Sequence, residues 1–180
     1  MPDFFANAEL LSQATSNIGL ARRRDLTFRQ DIGLTVEGQR RSLKDLFKGQ
    51  KTVVFGVPDC GKVCSQQHVP GYLEQADKLR QLGITQILCV AVGDPSATQH
   101  WAESAKVDPT KVKVATDANG SWTRYLGVEL GQPDQPGARS LRYAAVVDDG
   151  VLLKLKVDAD PAKVDASSAV SVVNMLQQCN

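Results

Sequence analysis

Two cysteines four positions apart, Cys60 and Cys64, with His68 four further on, gather the side chains best suited to nucleophilic or redox chemistry into one short segment. A thiolate attacks electrophilic sulfur or peroxide oxygen, and a second thiol nearby can close a disulfide on the oxidised product. The spacing is compatible with the roughly 4.4–6.8 Å between Cα atoms that a disulfide requires. His68 invites a Cys-His pair, but no third, orienting group is identifiable, and a structural role is the preferred reading. A zinc site built from Cys60, Cys64 and His68 lacks a paired Cys-x-x-Cys framework, so no metal is expected. Cys89 sits in an apolar run where core packing and thiol chemistry are equally open, and Cys179 reads as a tail thiol.

The elements that must position these thiols follow from the pattern around them. Thr52-Val-Val-Phe-Gly is a short β-rich run without alternation, as in a central strand buried on both faces, and Pro58 opens a loop after it. From Cys64 a helix is expected to about Leu82, with Tyr72, Leu73, Ala76 and Leu79 on one face, a kink at Pro70-Gly71 and a stop at Gly83. In its first turn Cys64 faces unsatisfied N–H groups and the positive dipole end, both of which favour a thiolate. Thr85 to Val92 is a second buried strand, Asp94-Pro95 starts a helix through Trp101, and Val112 to Thr116 is a third strand. Ser121 to Leu126 is a short helix, and the Pro- and Gly-rich Gly127 to Ala138 a loop whose length hints at a functional surface.

Two hairpins frame this core. Leu34-Thr-Val and Arg40 to Ser42 flank Glu37-Gly38, with Ser42 a cap for the turn Leu43 to Phe47. Tyr143 to Val147 and Val151 to Val157 meet at Asp149-Gly150, and Ala169 to Gln178 closes the chain as a helix. Residues 1 to about 30 are polar and mixed and are set apart as an N-terminal extension, leaving 31–180 as one domain. Alternating strands and helices followed by a hairpin and a helix imply an α/β fold with a central mixed sheet covered on both faces. Trp101 and Trp122 are read as core or dimer-surface aromatics.

Charge excludes several classes of partner. Lys and Arg number 21 against 20 Asp and Glu, so no global field points to nucleic acid or a membrane surface. The apolar stretches fall far short of the roughly 20 residues that span a bilayer. Asp3 and Glu9 weaken a transit-peptide reading of Arg22 to Arg24, which reads as a solvated patch able to dock a partner. A cytoplasmic address is favoured, with a mitochondrial or plastid one as the alternative.

The segment Phe55-Gly-Val-Pro-Asp-Cys-Gly-Lys-Val-Cys-Ser-Gln-Gln-His-Val-Pro-Gly-Tyr72 strongly resembles the active-site stretch of the type II, or atypical two-cysteine, peroxiredoxins. The resemblance continues through Cys89 to Pro95, His100 to Glu103 and Arg139 to Gly150, spanning roughly residues 34 to 178 in order. It implies a thioredoxin-like fold and a thiol-dependent peroxidase reducing hydrogen peroxide and alkyl hydroperoxides through a sulfenic acid. Cys64 is then the peroxidatic thiol, Pro58 shields it, Arg142 completes the pocket, and Cys89 is a resolving candidate. The same resemblance implies no cofactor, a reductant that is glutathione with glutaredoxin or thioredoxin, and a homodimer.

One departure stands out. The family pattern has a threonine three residues before the reactive cysteine, whereas this chain has Gly61 there and a loop one residue shorter. Loss of one preorganised donor would cost about 100-fold to 1,000-fold in rate. Two rival readings follow. One is a degenerate family member serving as a structural or binding subunit of a larger assembly, anchored by its N-terminal extension. The other is a disulfide reductase using Cys60 and Cys64 as a thioredoxin Cys-x-x-Cys loop lengthened by one residue. Cys60 is also a second resolving candidate.

Overall fold

The computed structural model of the chain describes residues 23–130 and 139–179. The chain begins with β1 (Arg24–Asp25), then the hairpin of β2 (Gly33–Val36) and β3 (Gln39–Ser42) and the short helix α1 (Leu43–Phe47). Ser42 caps α1 by accepting from the Asp45 N–H. β4 (Lys51–Val57) leads through the cysteine loop into a π-helical turn, Cys64–His68, that runs directly into α2 (Val69–Gln81). There follow β5 (Gln86–Val92), α3 (Pro95–Ser104), β6 (Lys113–Asp117) and α4 (Ser121–Leu126). Two short strands, β7 (Glu129–Leu130) and β8 (Arg139–Ser140), pair with each other, and the chain ends with β9 (Tyr143–Asp148), β10 (Val151–Val157) and α5 (Ala169–Gln178).

Eight strands form one mixed sheet in the order β1-β10-β9-β4-β5-β6-β2-β3, with β4, β5 and β6 parallel and the other pairings antiparallel. The apolar runs of β4, β5 and β9 divide by the period of a strand between two cores. Val53, Phe55, Val57, Ile87, Cys89 and Ala91 face the layer of α2 and α5. Val54, Leu88, Val90, Tyr143 and Val147 face that of α1 and α4. Helices on both faces of a mixed sheet make this a thioredoxin-like α/β fold.

Two expectations change. The polar stretch before residue 31 enters the sheet: Arg24 and Asp25 pair with Leu152 and Val151, and Leu26 is fully buried beside them. The long helix is interrupted at its start rather than at Pro70-Gly71. Pro70 cannot donate to the carbonyl of Gln66, and its ring would crowd that carbonyl in an α-helical turn. Widening the turn relieves the clash, and the Val69 N–H reaches back five residues to the Cys64 carbonyl. The expected functional surface in the loop Gly127 to Ala138 falls largely on residues 131–138, and the rest of the N-terminal extension on residues 1–22; both lie outside the described residues. None of the described helices is long and apolar enough to cross a membrane.

Candidate active site

Cys64 opens the π turn at the mouth of β4, and its side chain has no exposed surface. Its sulfur has two polar neighbours. Arg142 Nη2, from the segment leading into β9, donates to Sγ at 3.5 Å. From the loop, Asp59 Oδ1 accepts from the thiol at 3.7 Å. A carboxylate and a guanidinium therefore meet at one thiol.

Arg142 is itself 2% exposed, so each of its donors must find an acceptor inside the protein. Nε donates to the Pro161 carbonyl at 3.0 Å, and Nη1 to His68 Nδ1 at 3.0 Å. Among the described residues no carboxylate forms a salt bridge with this guanidinium. Its charge is met by neutral acceptors and by the Cys64 sulfur.

Because Arg142 can only donate, His68 accepts at Nδ1 and carries its proton on Nε2, which points at the Ser167 carbonyl and hydroxyl, both at 3.2 Å. Ser167 Oγ in turn donates to Asp158 Oδ2 at 2.5 Å, and Tyr72 donates its hydroxyl proton to the Ser167 carbonyl at 2.7 Å. The Phe55 ring stacks on Tyr72 at 3.9 Å and leans on His68 at 4.8 Å, walling the imidazole from water. His68 thus positions Arg142, a structural role rather than that of a base on Cys64.

Burial above all, with the Arg142 charge adding to it, pushes His68 down to about 3 from its ordinary 6.5. Below about pH 6.5 the unfolded chain takes up a proton that the folded chain refuses, so this group's contribution to stability falls as pH drops towards 3. The slope is about 1.4 kcal/mol per pH unit within that window. Thermal unfolding followed from pH 7 to 4 is expected to give a flatter pH profile for His68→Gln than for the native chain, with the two converging in slope above pH 7.

The other cysteines stand apart from this arrangement in different ways. Cys89 is fully buried at the centre of β5, opposite Phe55 of β4, and faces the same core as Cys64. Burial, with Cys60 and Cys64 nearby, holds its thiol well above the ordinary range. Cys60 is half-buried on the loop at a left-handed φ of 55°, and burial pushes its thiol up to about 12. All four cysteines are free thiols. Pro58 and Cys60 share the rim of an open cleft of about 970 Å³ at the carboxyl ends of β4, β5 and β6, into which Arg124 and Arg139 also project.

Sequence reasoning missed Asp59, Ser167 and Asp158. Ser167 lies 99 residues from His68, and a serine in a polar connection carries no local signal of such a contact. Asp59 was legible only as a loop residue next to Pro58. Ser65, by contrast, turns away from the thiol: its hydroxyl donates to the Gly61 carbonyl at 2.7 Å and accepts from Trp101 Nε1 at 3.3 Å, tying α3 to the loop. Trp122 is a buried core residue that donates to the Tyr143 hydroxyl at 2.9 Å. Among the described residues, no group of three or more His, Cys, Asp and Glu side chains is arranged to hold a metal ion.

A buried thiol at a helix start, faced by an arginine from the distant segment that leads into β9 of a thioredoxin-like sheet, defines a class, and the comparisons agree. The redoxin family profile matches residues 23–173. The mitochondrial peroxiredoxin-2F of Oryza sativa subsp. japonica is 34% identical over 148 residues, covering 81% of this chain and 74% of its own length. Peroxiredoxin-2B of Arabidopsis thaliana is 37% identical over 113 residues, covering 62% of this chain and 69% of its own. The crystal structure of reduced Prx3 from Vibrio vulnificus in complex with hydrogen peroxide superposes with a TM-score of 0.78 at 29% identity, covering 89% of this chain and 98% of that one. The chain belongs to the redoxin family and, within it, to the type II peroxiredoxins.

Proposed function

We propose that this chain is a thiol-dependent peroxidase that reduces hydrogen peroxide and alkyl hydroperoxides with Cys64 as nucleophile. The observation that carries the reading is the position of Cys64 Sγ 3.5 Å from the Arg142 guanidinium, a buried cation whose charge a thiolate would balance. The sulfur attacks one peroxide oxygen, the O–O bond breaks, Cys64 becomes a sulfenic acid and the other oxygen leaves as water or alcohol. Arg142 supplies fixed donors where negative charge develops. Hydrogen peroxide is a fitting first substrate, since the Vibrio relative was crystallised with it. Because Cys64 is fully buried, the loop carrying Pro58 to Gly61 must open for substrate to enter.

A second thiol then condenses with the sulfenic acid to give a disulfide. Cys60, nearest in sequence, and Cys89, in the same core layer, are the candidates within the chain. Both are disfavoured as thiolates by burial in the reduced fold, so resolution accompanies local unfolding at the start of the π turn. Glutathione with glutaredoxin, or thioredoxin, is the proposed reductant, acting on a homodimer. The cytoplasm is the proposed compartment, the mitochondrion and plastid of some relatives being the alternatives.

The test is rapid mixing of the reduced protein with hydrogen peroxide, following Cys64 oxidation, with Cys64→Ser as control. A Cys64-dependent second-order rate well above that of a free thiol is expected. A rate no better than a free thiol's would leave the fold as a structural or binding subunit, the reading that the missing threonine at Gly61 favours. Insulin-disulfide reduction lost in Cys60→Ser would instead favour a disulfide reductase.

A further inference from the structure

Asp59 is the one acidic group that reaches Cys64 among the described residues, and its placement is specific. Its Oδ1 accepts from the Gly61 N–H at 2.9 Å and from the Cys64 thiol at 3.7 Å. A Cβ built on Gly61 would meet the same oxygen at 2.9 Å. The glycine therefore leaves room for the carboxylate, which fills the space over the thiol that a side chain at residue 61 would take. With Arg142 Nη2 also at the sulfur, the thiol proton has an acceptor and the sulfur left behind has a cation. The rest of Asp59 is exposed, so it lies where a peroxide arriving from solvent first meets the site.

We propose that Asp59 is a catalytic residue of this site, relaying the Cys64 proton to the departing peroxide oxygen; the inference rests on the peroxidase reading above. The carboxylate takes the proton from Sγ as the loop opens. The sulfur electron pair then forms an S–O bond with the nearer peroxide oxygen while the O–O bond breaks, so that sulfur is oxidised and the peroxide reduced. The Asp59 carboxyl returns its proton to the leaving oxygen, which departs as water or an alcohol. Sulfenic acid and carboxylate remain, and no further reactant is needed. The relay also accounts for how a pocket with glycine at residue 61 handles the proton without a hydroxyl there.

The charge makes the test two-sided. A carboxylate 3.7 Å from the sulfur opposes negative charge gathering there during attack on iodoacetamide, yet the same carboxylate is the relay. Asp59→Asn keeps an oxygen for the Gly61 N–H and loses only the charge and the proton affinity. In single-turnover mixing with hydrogen peroxide, Asp59→Asn is expected to oxidise at Cys64 about 100-fold more slowly than the native protein. Iodoacetamide alkylation of Cys64 at pH 7, read by peptide mass spectrometry, is expected to quicken by several-fold up to about tenfold. Opposite movement of the two rates supports the relay. Two rates falling together, or an Asp59→Asn variant like the native protein beside a disabled Asp59→Ala, would assign Asp59 to loop structure and overturn it. A fast native protein with an unchanged Asp59→Asn oxidation rate overturns the relay alone, whereas a native rate equal to that of a free thiol overturns the peroxidase reading and the relay with it.

Discussion

Arg142→Met is expected to slow Cys64 oxidation by hydrogen peroxide by on the order of 1,000-fold while leaving a folded protein. The rate falls for two reasons. Nη2 is the donor on the sulfur at 3.5 Å, so its loss removes the hydrogen bond that would follow charge onto the reacting oxygens. It also removes the only cation in contact with Cys64 among the described residues, and iodoacetamide alkylation at pH 7 should slow by about tenfold or more. Stability is expected to move little. The native fold buries a guanidinium that has no carboxylate partner among the described residues, and relief of that desolvation offsets the acceptors orphaned at His68 Nδ1 and the Pro161 carbonyl, each worth about 1–3 kcal/mol. Thermal unfolding and the two rates, measured together, check this. An unchanged alkylation rate would show that the guanidinium does not act on the thiol.

Gly56→Ala is expected to have a large effect on stability. A Cβ on Gly56 would lie 1.9 Å from Tyr143 Cε1 and 2.5 Å from Cζ, inside the ring's own contact shell. Tyr143 cannot retreat freely, because it is fully buried and its hydroxyl accepts from Trp122 Nε1 at 2.9 Å. Overpacking of this kind costs about 3 kcal/mol or more, against a total of roughly 5–15 kcal/mol for a typical domain. For a chain of this length that corresponds to a fall in Tm of about 10 °C. Tyr143→Leu, which takes the ring away, should make the second substitution nearly free, so that the double variant is more stable than the sum of the two singles predicts. Additive losses would place the strain elsewhere.

The elements with strong local chemistry were legible before any coordinates. β4 and β5 announced themselves as apolar β-branched runs, and Asp149-Gly150 as a turn that needs two left-handed residues, which the φ values of 47° and 81° supply. Asp94 caps α3 by accepting from the Ala97 N–H at 2.9 Å, as the Asp-Pro signature suggests. Pairs and widened turns were not legible. Arg24 and Asp25 join the sheet through only two residues, too few for any periodicity, and a π turn is set by Pro70 acting on a residue four positions earlier. Cys64 and Arg142 could be expected to meet on resemblance alone. The contacts that hold Arg142 in place, and the approach of Asp59, depend on where the backbone finally lies.

The stretch between β10 and α5, residues 158–168, is polar and turn-rich, and by composition it is a connector that should accept substitutions, insertions or a graft without complaint. The Pro161 carbonyl and the Ser167 hydroxyl and carbonyl make it otherwise: they hold Arg142 directly and through His68. Its backbone is thus part of the tool-holder for Arg142 at the Cys64 sulfur, so its mutational tolerance is governed by a contact almost a hundred residues upstream. On the peroxidase proposal, lengthening this connector by a single residue is a change to the reaction, even though no side chain that touches substrate is altered.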